Sequence, residues 1–216
     1  MRTLTRSGVV TAAATLAIIG GSTALADSHE ERTEAPVQFF ADPETPVGES
    51  TLRRTETGVY ATFTAGGVEP GHAVTLWWVV FNQPENCSDG ACGEDDIFID
   101  GDPTAGFNED GIAAADIVPG YAGGTISSDD GEIRYFARLD VGTPGYDSLF
   151  GEGAVLKDAA AAEIHLITRS HGPVIAGLED VQTTSFAGGC ETDLLPPEVA
   201  DAEGECSDLH FAVHMP

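Results

Sequence analysis

One short segment, residues 163–173, holds the densest group of side chains that could bind or activate a ligand. The segment predicts a β-strand, and side chains alternate between the two faces of a strand, so Glu163, His165 and Arg169 share one face. His171 continues that parity near the end of the segment. Together these side chains could bind an anion, a sugar or a metal ion. The structural alternative is a buried Glu–Arg or Glu–His pair that ties the strand to a loop.

Two further histidines, His210 and His214, lie on an alternating stretch close to residue 216. The alternation predicts a strand over 209–214 with its leucine, phenylalanine and valine facing the core and both histidines facing the other side. Residues four apart on a straight strand are separated by about 13 Å, so these two cannot bind one ion together. Either could join His165 or His171 in a mononuclear copper or zinc site. The alternative is that all four histidines are exposed or hydrogen-bonded.

Seven acidic residues crowd residues 94–110 and could supply some of the six to eight oxygen ligands that calcium takes. They are Glu94, Asp95, Asp96, Asp100, Asp102, Glu109 and Asp110. Their spacing does not fit an EF-hand loop, and crowding of acids is expected in a chain this acidic. Calcium therefore ranks below copper or zinc. Outside this stretch, His72 is a weaker candidate for a polar site.

The sequence lacks the common motifs of hydrolases and nucleotide-binding enzymes. Neither Gly-x-Ser-x-Gly nor His-Glu-x-x-His occurs, and no Gly-x-Gly-x-x-Gly follows a predicted strand. This favours a non-enzymatic binding or structural module. The enzyme alternative would use a bound metal or a histidine general base paired with Glu163.

Four cysteines allow three disulfide pairings. We predict the pairs that are close in sequence, Cys87–Cys92 and Cys190–Cys206. The alternative is a four-thiolate zinc site, but four and fifteen intervening residues fit zinc-ligand spacing poorly. An oxidising compartment also favours disulfides.

The charge balance is strongly acidic, with 36 Asp and Glu against 9 Lys and Arg and a net charge of −27. Residues 27–216 hold all the acids but only seven of the bases, which gives −29. This excludes sequence-independent nucleic-acid binding, which needs Lys and Arg, and argues against docking on anionic lipid. Because molar salt shortens the Debye length to about 3 Å, we predict a salt-adapted, halophilic protein. The alternatives are a merely acidic secreted protein and a calcium-loaded one.

The first 26 residues predict a secretory signal peptide. Arg2 and Arg6 precede an uncharged apolar run over 9–19, and Ala24-Leu25-Ala26 is a small-x-small cleavage sequence. The apolar run of 11 residues is too short to span a hydrocarbon layer of about 30 Å. We expect a secreted product, extracellular or periplasmic, without membrane insertion after signal cleavage.

The remaining sequence predicts strands separated by turns rich in glycine, aspartate and proline. The predicted strands cover 58–66, 72–82, 95–100, 112–118, 132–139, 162–168 and 209–214. The strand over 72–82 is apolar on both faces, which is typical of a covered central strand. A weak helix signal follows Asp158, where four alanines occur. We predict an all-β fold, an antiparallel sandwich or barrel-like single domain over 37–216, after a flexible acidic leader at 27–36.

Several short motifs together resemble an uncharacterised family of secreted bacterial β-proteins. They are Pro70-Gly71-His72, Trp77-Trp78, the Cys87 and Cys92 pair, Glu163-Ile164-His165-Leu166, Arg169-Ser170-His171-Gly172-Pro173 and Gly188-Gly189-Cys190. The resemblance spans most of the mature chain and implies no catalytic role for any residue. The Ile-His pair within a strand is also similar to the chordin-type (CHRD) β-domain.

The combined expectation is a secreted, acidic, salt-adapted module that binds an unknown ligand or serves a structural role. A histidine cluster could hold copper or zinc. The sequence specifies neither a partner nor an oligomeric state.

Overall fold

Strands dominate the part of the chain that the computed structural model describes, residues 31–146, 150–190 and 206–216. The eight strands are β1 (Glu31–Phe39), β2 (Asp42–Thr55), β3 (Gly58–Ala65), β4 (His72–Phe81), β5 (Ile117–Ile126), β6 (Ile133–Asp140), β7 (Glu163–Pro173) and β8 (Cys206–His214). Three short α-helices are α1 (Glu94–Ile97), α2 (Glu109–Ala115) and α3 (Glu179–Thr184).

All eight strands form one antiparallel sheet in the order β5-β4-β7-β8-β1-β2-β3-β6. The sheet curls until its two edge strands, β5 and β6, approach each other, so it is nearly closed and barrel-like. This confirms the predicted all-β, antiparallel, barrel-like fold.

The central strand β4 is buried on both faces, as its unbroken apolar run predicts. Val74, Leu76 and Trp78 face the barrel interior, where they join the main hydrophobic core. On the outer face, Val79 and Phe81 belong to a second core. Residues between β4 and β5 cover that outer face, so β4 is packed between two layers.

The outer layer is closed by the first disulfide and by the two helices that follow it. Cys87 and Cys92 are paired, as predicted, and both pack in the second core with Ile97 of α1 and Ile112 of α2. The buried Asp96 carboxylate accepts hydrogen bonds from two backbone amides of this loop. The acidic stretch therefore supplies structural hydrogen bonds as well as surface charge.

Two predicted strands in this layer are wrong. Residues 95–100 form α1 and a 3₁₀ turn, and the sequence from Ile112 continues α2 before β5 begins at Ile117. The Asn108 side chain accepts a hydrogen bond from the Gly111 amide and begins the helix, a cap that the pattern of apolar residues does not reveal. The alanines after Asp158 form a turn instead of a helix, because β7 begins at Glu163.

The predicted leader also needs correction. Glu31–Pro36 belong to β1, which pairs with β2 along its length. The inward side chains include Thr33 and Ala35, which are too small to produce an obvious apolar pattern, although Ala35 is buried. The predicted signal peptide and residues 27–30 lie outside the described residues.

Within the described ranges, no helix is both long and apolar enough to cross a membrane.

Candidate functional site

The strongest candidate site surrounds His171 on the outer face of β7, where the imidazole is fully buried. Its Nε2 lies 2.8 Å from the Thr75 hydroxyl, which also accepts a hydrogen bond of 2.7 Å from Trp77 Nε1. Its Nδ1 lies 2.8 Å from the Gly188 carbonyl oxygen. A hydrogen-bonded chain therefore runs from Trp77 through Thr75 and His171 to the loop at Gly188.

These contacts fix the protonation of His171. A carbonyl oxygen only accepts, so Nδ1 carries the proton and donates to Gly188, while Nε2 accepts from the Thr75 hydroxyl. Burial lowers the pKa of His171 to about 4, the net value after the Gly188 bond, which raises it, and the charge of Arg169, which lowers it. His171 is therefore neutral near pH 7 and has its proton on one defined nitrogen.

The second disulfide lies directly beside this imidazole. Cys190 and Cys206 are paired, as predicted. The Cys190 Sγ is 3.5 Å from His171 Nδ1, and the Cys206 Sγ is 3.9 Å from the same nitrogen. A Cβ on Gly188 would lie 2.1 Å from the Val181 carbonyl oxygen, so only glycine allows this close turn beneath α3.

His171, Cys190 and Cys206 form the one group of three or more His, Cys, Asp or Glu residues in the described ranges that could hold a metal. Their ligand atoms all lie within 4.8 Å of one another. Two thiolates and an imidazole are ligands that zinc and copper(I) prefer. Of the four histidines predicted as copper or zinc ligands, the structure brings only His171 into such a group.

Aromatic side chains enclose the same region. Trp77 is 2% exposed, and its ring meets those of Tyr121, Tyr146 and Phe186 nearly at right angles. The ring centroids are 5.0 to 5.6 Å apart, which is typical of favourable edge-to-face pairs. Trp77 is therefore part of a covered layer that shields the His171 chain from water.

Glu163 and His165 share the outer face of β7, as their alternation predicts, and form a buried pair. His165 Nε2 donates to the Glu163 carboxylate at 2.7 Å, and the imidazole packs against Phe81 with ring centroids 4.7 Å apart. A carboxylate that orients an imidazole in this way leaves Nδ1 as the nitrogen that could act as a base. The pair also matches the structural alternative, a Glu–His contact that fixes the strand.

The other two predicted polar-site residues, Arg169 and His72, form hydrogen bonds that connect strands and loops. Arg169 donates to the Asp208 carboxylate at 2.9 Å and to the Phe186 carbonyl at 3.1 Å, so it ties β7 to β8 and to the loop after α3. His72 is half-buried at the start of β4, where its backbone exchanges hydrogen bonds with Ser127. Neither joins the metal-ligand group.

His210 lies inside the barrel and is fully buried. Its Nε2 donates to the Gly66 carbonyl at 3.3 Å, and its Nδ1 accepts from the Thr168 hydroxyl at 2.8 Å. Its ring packs against Phe39 with centroids 4.4 Å apart. Burial lowers the pKa of His210 to about 4, although the bond to Gly66 raises it.

His214 is also inside the barrel, where it links Thr33 and Ser50 in a hydrogen-bond network. Ser50 Oγ donates its only proton to the Thr62 carbonyl, so His214 Nε2 donates to Ser50 at 2.8 Å. Nδ1 then accepts from the Thr33 hydroxyl at 2.9 Å. Burial lowers the pKa of His214 to about 4, and the charge of Arg54 adds to the effect.

The predicted facing of β8 is therefore wrong. His210 and His214 face the barrel interior, together with Ala212, whereas Phe211 and Val213 are half-buried on the outer side. Leu209 lies at a register shift and packs against the main core, as predicted. The inward orientation of these two histidines is stable because each imidazole nitrogen forms a hydrogen bond with a hydroxyl or carbonyl group inside the barrel. Their separate partners agree with the expectation that the two histidines cannot share one ion.

No three of the seven acids between Glu94 and Asp110 come together in a group that could hold an ion, as far as the described chain shows. Some of them have local hydrogen-bonding roles. Asp102 accepts from the amide and hydroxyl of Thr104, which holds the pKa of that carboxyl below its usual value.

A comparison of the whole chain with known proteins finds no matching family model and no matching curated sequence.

Proposed function

We propose that this chain is a secreted, salt-adapted binding module that takes up one zinc or copper ion at His171, Cys190 and Cys206 when the disulfide between the cysteines is reduced. The observation that carries the proposal is the position of both sulfurs at 3.5 and 3.9 Å from His171 Nδ1. A tetrahedral zinc ion, with bonds of about 2.3 Å to sulfur and 2.0 Å to nitrogen, separates such ligands by about 3.5 Å.

The contacts of His171, Cys190 and Cys206 determine the steps by which a metal ion would bind. A dithiol gives two electrons to the Cys190–Cys206 disulfide, which yields two thiols and the oxidised dithiol. A divalent ion then displaces both thiol protons and binds His171 Nδ1. The imidazole proton moves to Nε2, where the Thr75 oxygen can accept it, and Gly188 loses its hydrogen bond. Three protein ligands leave one tetrahedral position for water or another ligand.

Secretion is supported by the signal-like segment at 1–26 and by the two disulfides, which suit an oxidising compartment. Under oxidising conditions the disulfide keeps the site closed. A reducing partner in the same compartment would open it, so metal uptake would report the thiol state of the surroundings.

The metal prediction is tested with zinc as the probe. We expect the disulfide-bonded chain to bind no zinc at this site, and the chain reduced with a small dithiol, then freed of it under nitrogen, to bind one zinc ion. Competition with a chromophoric chelator measures the affinity. His171→Gln is expected to weaken binding at least tenfold, because one of three ligands is lost.

A matched control removes the other disulfide. Cys87→Ser/Cys92→Ser takes away two sulfurs in the outer layer and should leave zinc binding to the reduced chain unchanged. Failure of the reduced wild-type chain to bind zinc, or equal binding by a Cys190→Ser/Cys206→Ser variant, would overturn the proposal.

Salt adaptation gives a separate prediction. We expect the melting temperature to rise steadily as NaCl increases from low concentration to about 2 M, because salt screens repulsion among the excess acids. Calorimetry in NaCl measures this, with an equal osmolarity of sucrose as the uncharged control. A melting temperature that does not change with NaCl contradicts salt adaptation and leaves the metal proposal standing.

A further inference from the structure

The outer face of strands β1, β2, β3 and β6 holds a line of basic and aromatic side chains. Backbone pairing places Arg32 opposite Arg53, Arg53 opposite Tyr60, and Tyr60 opposite Arg138. Adjacent strands are about 4.8 Å apart, so this Arg–Tyr row crosses three strand spacings, about 14 Å. All four residues belong to the outward parity, since their neighbours Leu52 and Val59 face the core.

Most of the few basic residues are concentrated here. Residues 27–216 contain seven Lys and Arg, and four of them, Arg32, Arg53, Arg134 and Arg138, are exposed on this face. The other three lie elsewhere: Arg54 is buried, Arg169 contacts Asp208, and Lys157 contacts Asp116. Glu34, Glu49 and Asp140 are acids on the same outward parity as these arginines, and Glu31, Asp42, Glu44 and Glu132 are exposed nearer the strand ends.

The arginines of the row are held in place. The Arg53 guanidinium lies 4.5 Å from the centroid of the Tyr60 ring, and that of Arg138 lies 5.2 Å from the same centroid. Such stacking limits the rotamers of both side chains, so less entropy is lost when they bind a ligand. Arg32 and Arg138 also contact Glu34 and Asp140 in exposed ion pairs, which contribute little and can open for a ligand.

A groove of about 440 Å³ follows the row. Its lining adds the hydroxyls of Thr51 and Thr62 and the ring of Phe136. Phe136 is 77% exposed between Arg134 and Arg138 on β6, so it serves no core packing. Large exposed aromatic rings beside cationic groups are typical of ligand sites.

We propose that this Arg–Tyr row binds an anionic polysaccharide. Guanidinium groups bind carboxylates and sulfates through paired hydrogen bonds, the threonine hydroxyls can bind sugar hydroxyls, and Phe136 offers a flat apolar surface to a sugar ring. The 14 Å length suits a chain with repeated charges better than one small anion. The net charge of −27 repels every polyanion at low salt, so the affinity must come from contacts within the row. The threonine hydroxyls beside the arginines favour a hydroxyl-rich sugar polymer over a nucleic acid or an anionic lipid surface.

The test uses three polymers at about 1 M NaCl, where the Debye length of about 3 Å removes long-range attraction and repulsion. We expect polygalacturonate or dextran sulfate to bind in isothermal titration, and neutral dextran not to bind. Arg53→Gln is expected to weaken binding at least tenfold, and Phe136→Ala severalfold. Both residues are exposed on the surface, so neither change should prevent folding.

Lys157→Gln is the charge-matched control, since it removes one exposed positive charge outside the row and should change affinity less than twofold. Three results would overturn the proposal: no binding to either anionic polymer, equal binding to dextran, or equal weakening by Lys157→Gln and Arg53→Gln. A dimer that dissociates in Arg53→Gln would also overturn it, because the face would then bind a second copy. None of these residues belongs to the proposed metal site, so the two proposals fail independently.

Discussion

Replacing Arg54 with alanine is expected to lower the free energy of unfolding by about 3–5 kcal/mol, the largest effect of any single substitution that we predict. Arg54 is 2% exposed, and its guanidinium donates to the backbone carbonyls of Ala159, Ala162, His214 and Met215 at 2.6 to 3.1 Å. These bonds join the turn before β7 to the end of β8.

The expected loss has two physical causes. Alanine would leave four carbonyls without their donor, three of them in buried contacts, and each unsatisfied buried group costs about 1–3 kcal/mol before relaxation. It would also remove a positive charge that interacts electrostatically with the buried Glu163 carboxylate. Burial lowers the pKa of Arg54, but Glu163 and Glu31 raise it and so favour the charged form.

Urea unfolding of the wild type and variants measures this prediction. Arg54→Lys keeps the charge but lacks the forked donor, so we expect it to lose less stability than alanine and still be measurable if alanine does not fold. Arg53→Gln, at the next position but on the outer face, should change stability by no more than about 0.5 kcal/mol. A loss below about 1 kcal/mol in Arg54→Ala would show that the four carbonyl contacts are not important.

Acid is expected to destabilise the fold as pH falls from about 6.5 toward 4, because His171, His210 and His214 are buried as neutral imidazoles. The pKa of each is lowered to about 4 in the folded chain, against about 6.5 in an unfolded one. In this window the unfolded chain binds protons that the folded chain does not. The stability is therefore complete above about pH 6.5 and declines as pH decreases, by on the order of 2–3 kcal/mol for each of the three residues.

Protonation of surface carboxylates acts in the opposite direction, since it reduces the repulsion within a chain of net charge −27. Ordinary carboxyl groups titrate near pH 4, so the change in stability between about pH 6.5 and 5 comes mainly from the histidines. Urea midpoints at half-unit steps of pH measure the slope. His210→Gln should reduce the slope by about a third, since it removes one of the three buried imidazoles. His72→Gln, at a half-buried site, is the control. A stability that is constant or increases on acidification over this interval would contradict the prediction.

Side-chain patterns predict those parts of the fold in which apolar residues alternate cleanly or run together. β4 is correct because its run from His72 to Phe81 is apolar on both faces, and β6 because its alternation is regular. β1 and β2 are missed because their inward positions include Thr33, Ser50 and Arg54, which a hydropathy pattern counts as polar. Their partners lie far along the chain, so no local signal shows that they can be buried.

Sequence patterns likewise predict some contacts of the candidate site and miss others. Alternation along β7 places Glu163 beside His165, and short separation pairs the cysteines. The contact of His171 with the sulfurs depends on the loop after α3 returning to β7 and on β8 pairing at Cys206, which sequence spacing does not encode. The only local hint is Gly188-Gly189 before Cys190, since consecutive glycines allow a close backbone approach.

The position of β8 in the sheet has a consequence for folding kinetics. It pairs with β7 on one side and with Gln38 and Phe39 of β1 on the other, so it joins two groups of strands that each assemble from nearer neighbours. Of the described strands it is the last to leave the ribosome, and its contacts with β1 span most of the chain. Such non-local pairing slows folding, and β1 and β7 keep open edges until it occurs. The nascent chain therefore cannot complete its barrel until residues 206–214 are released.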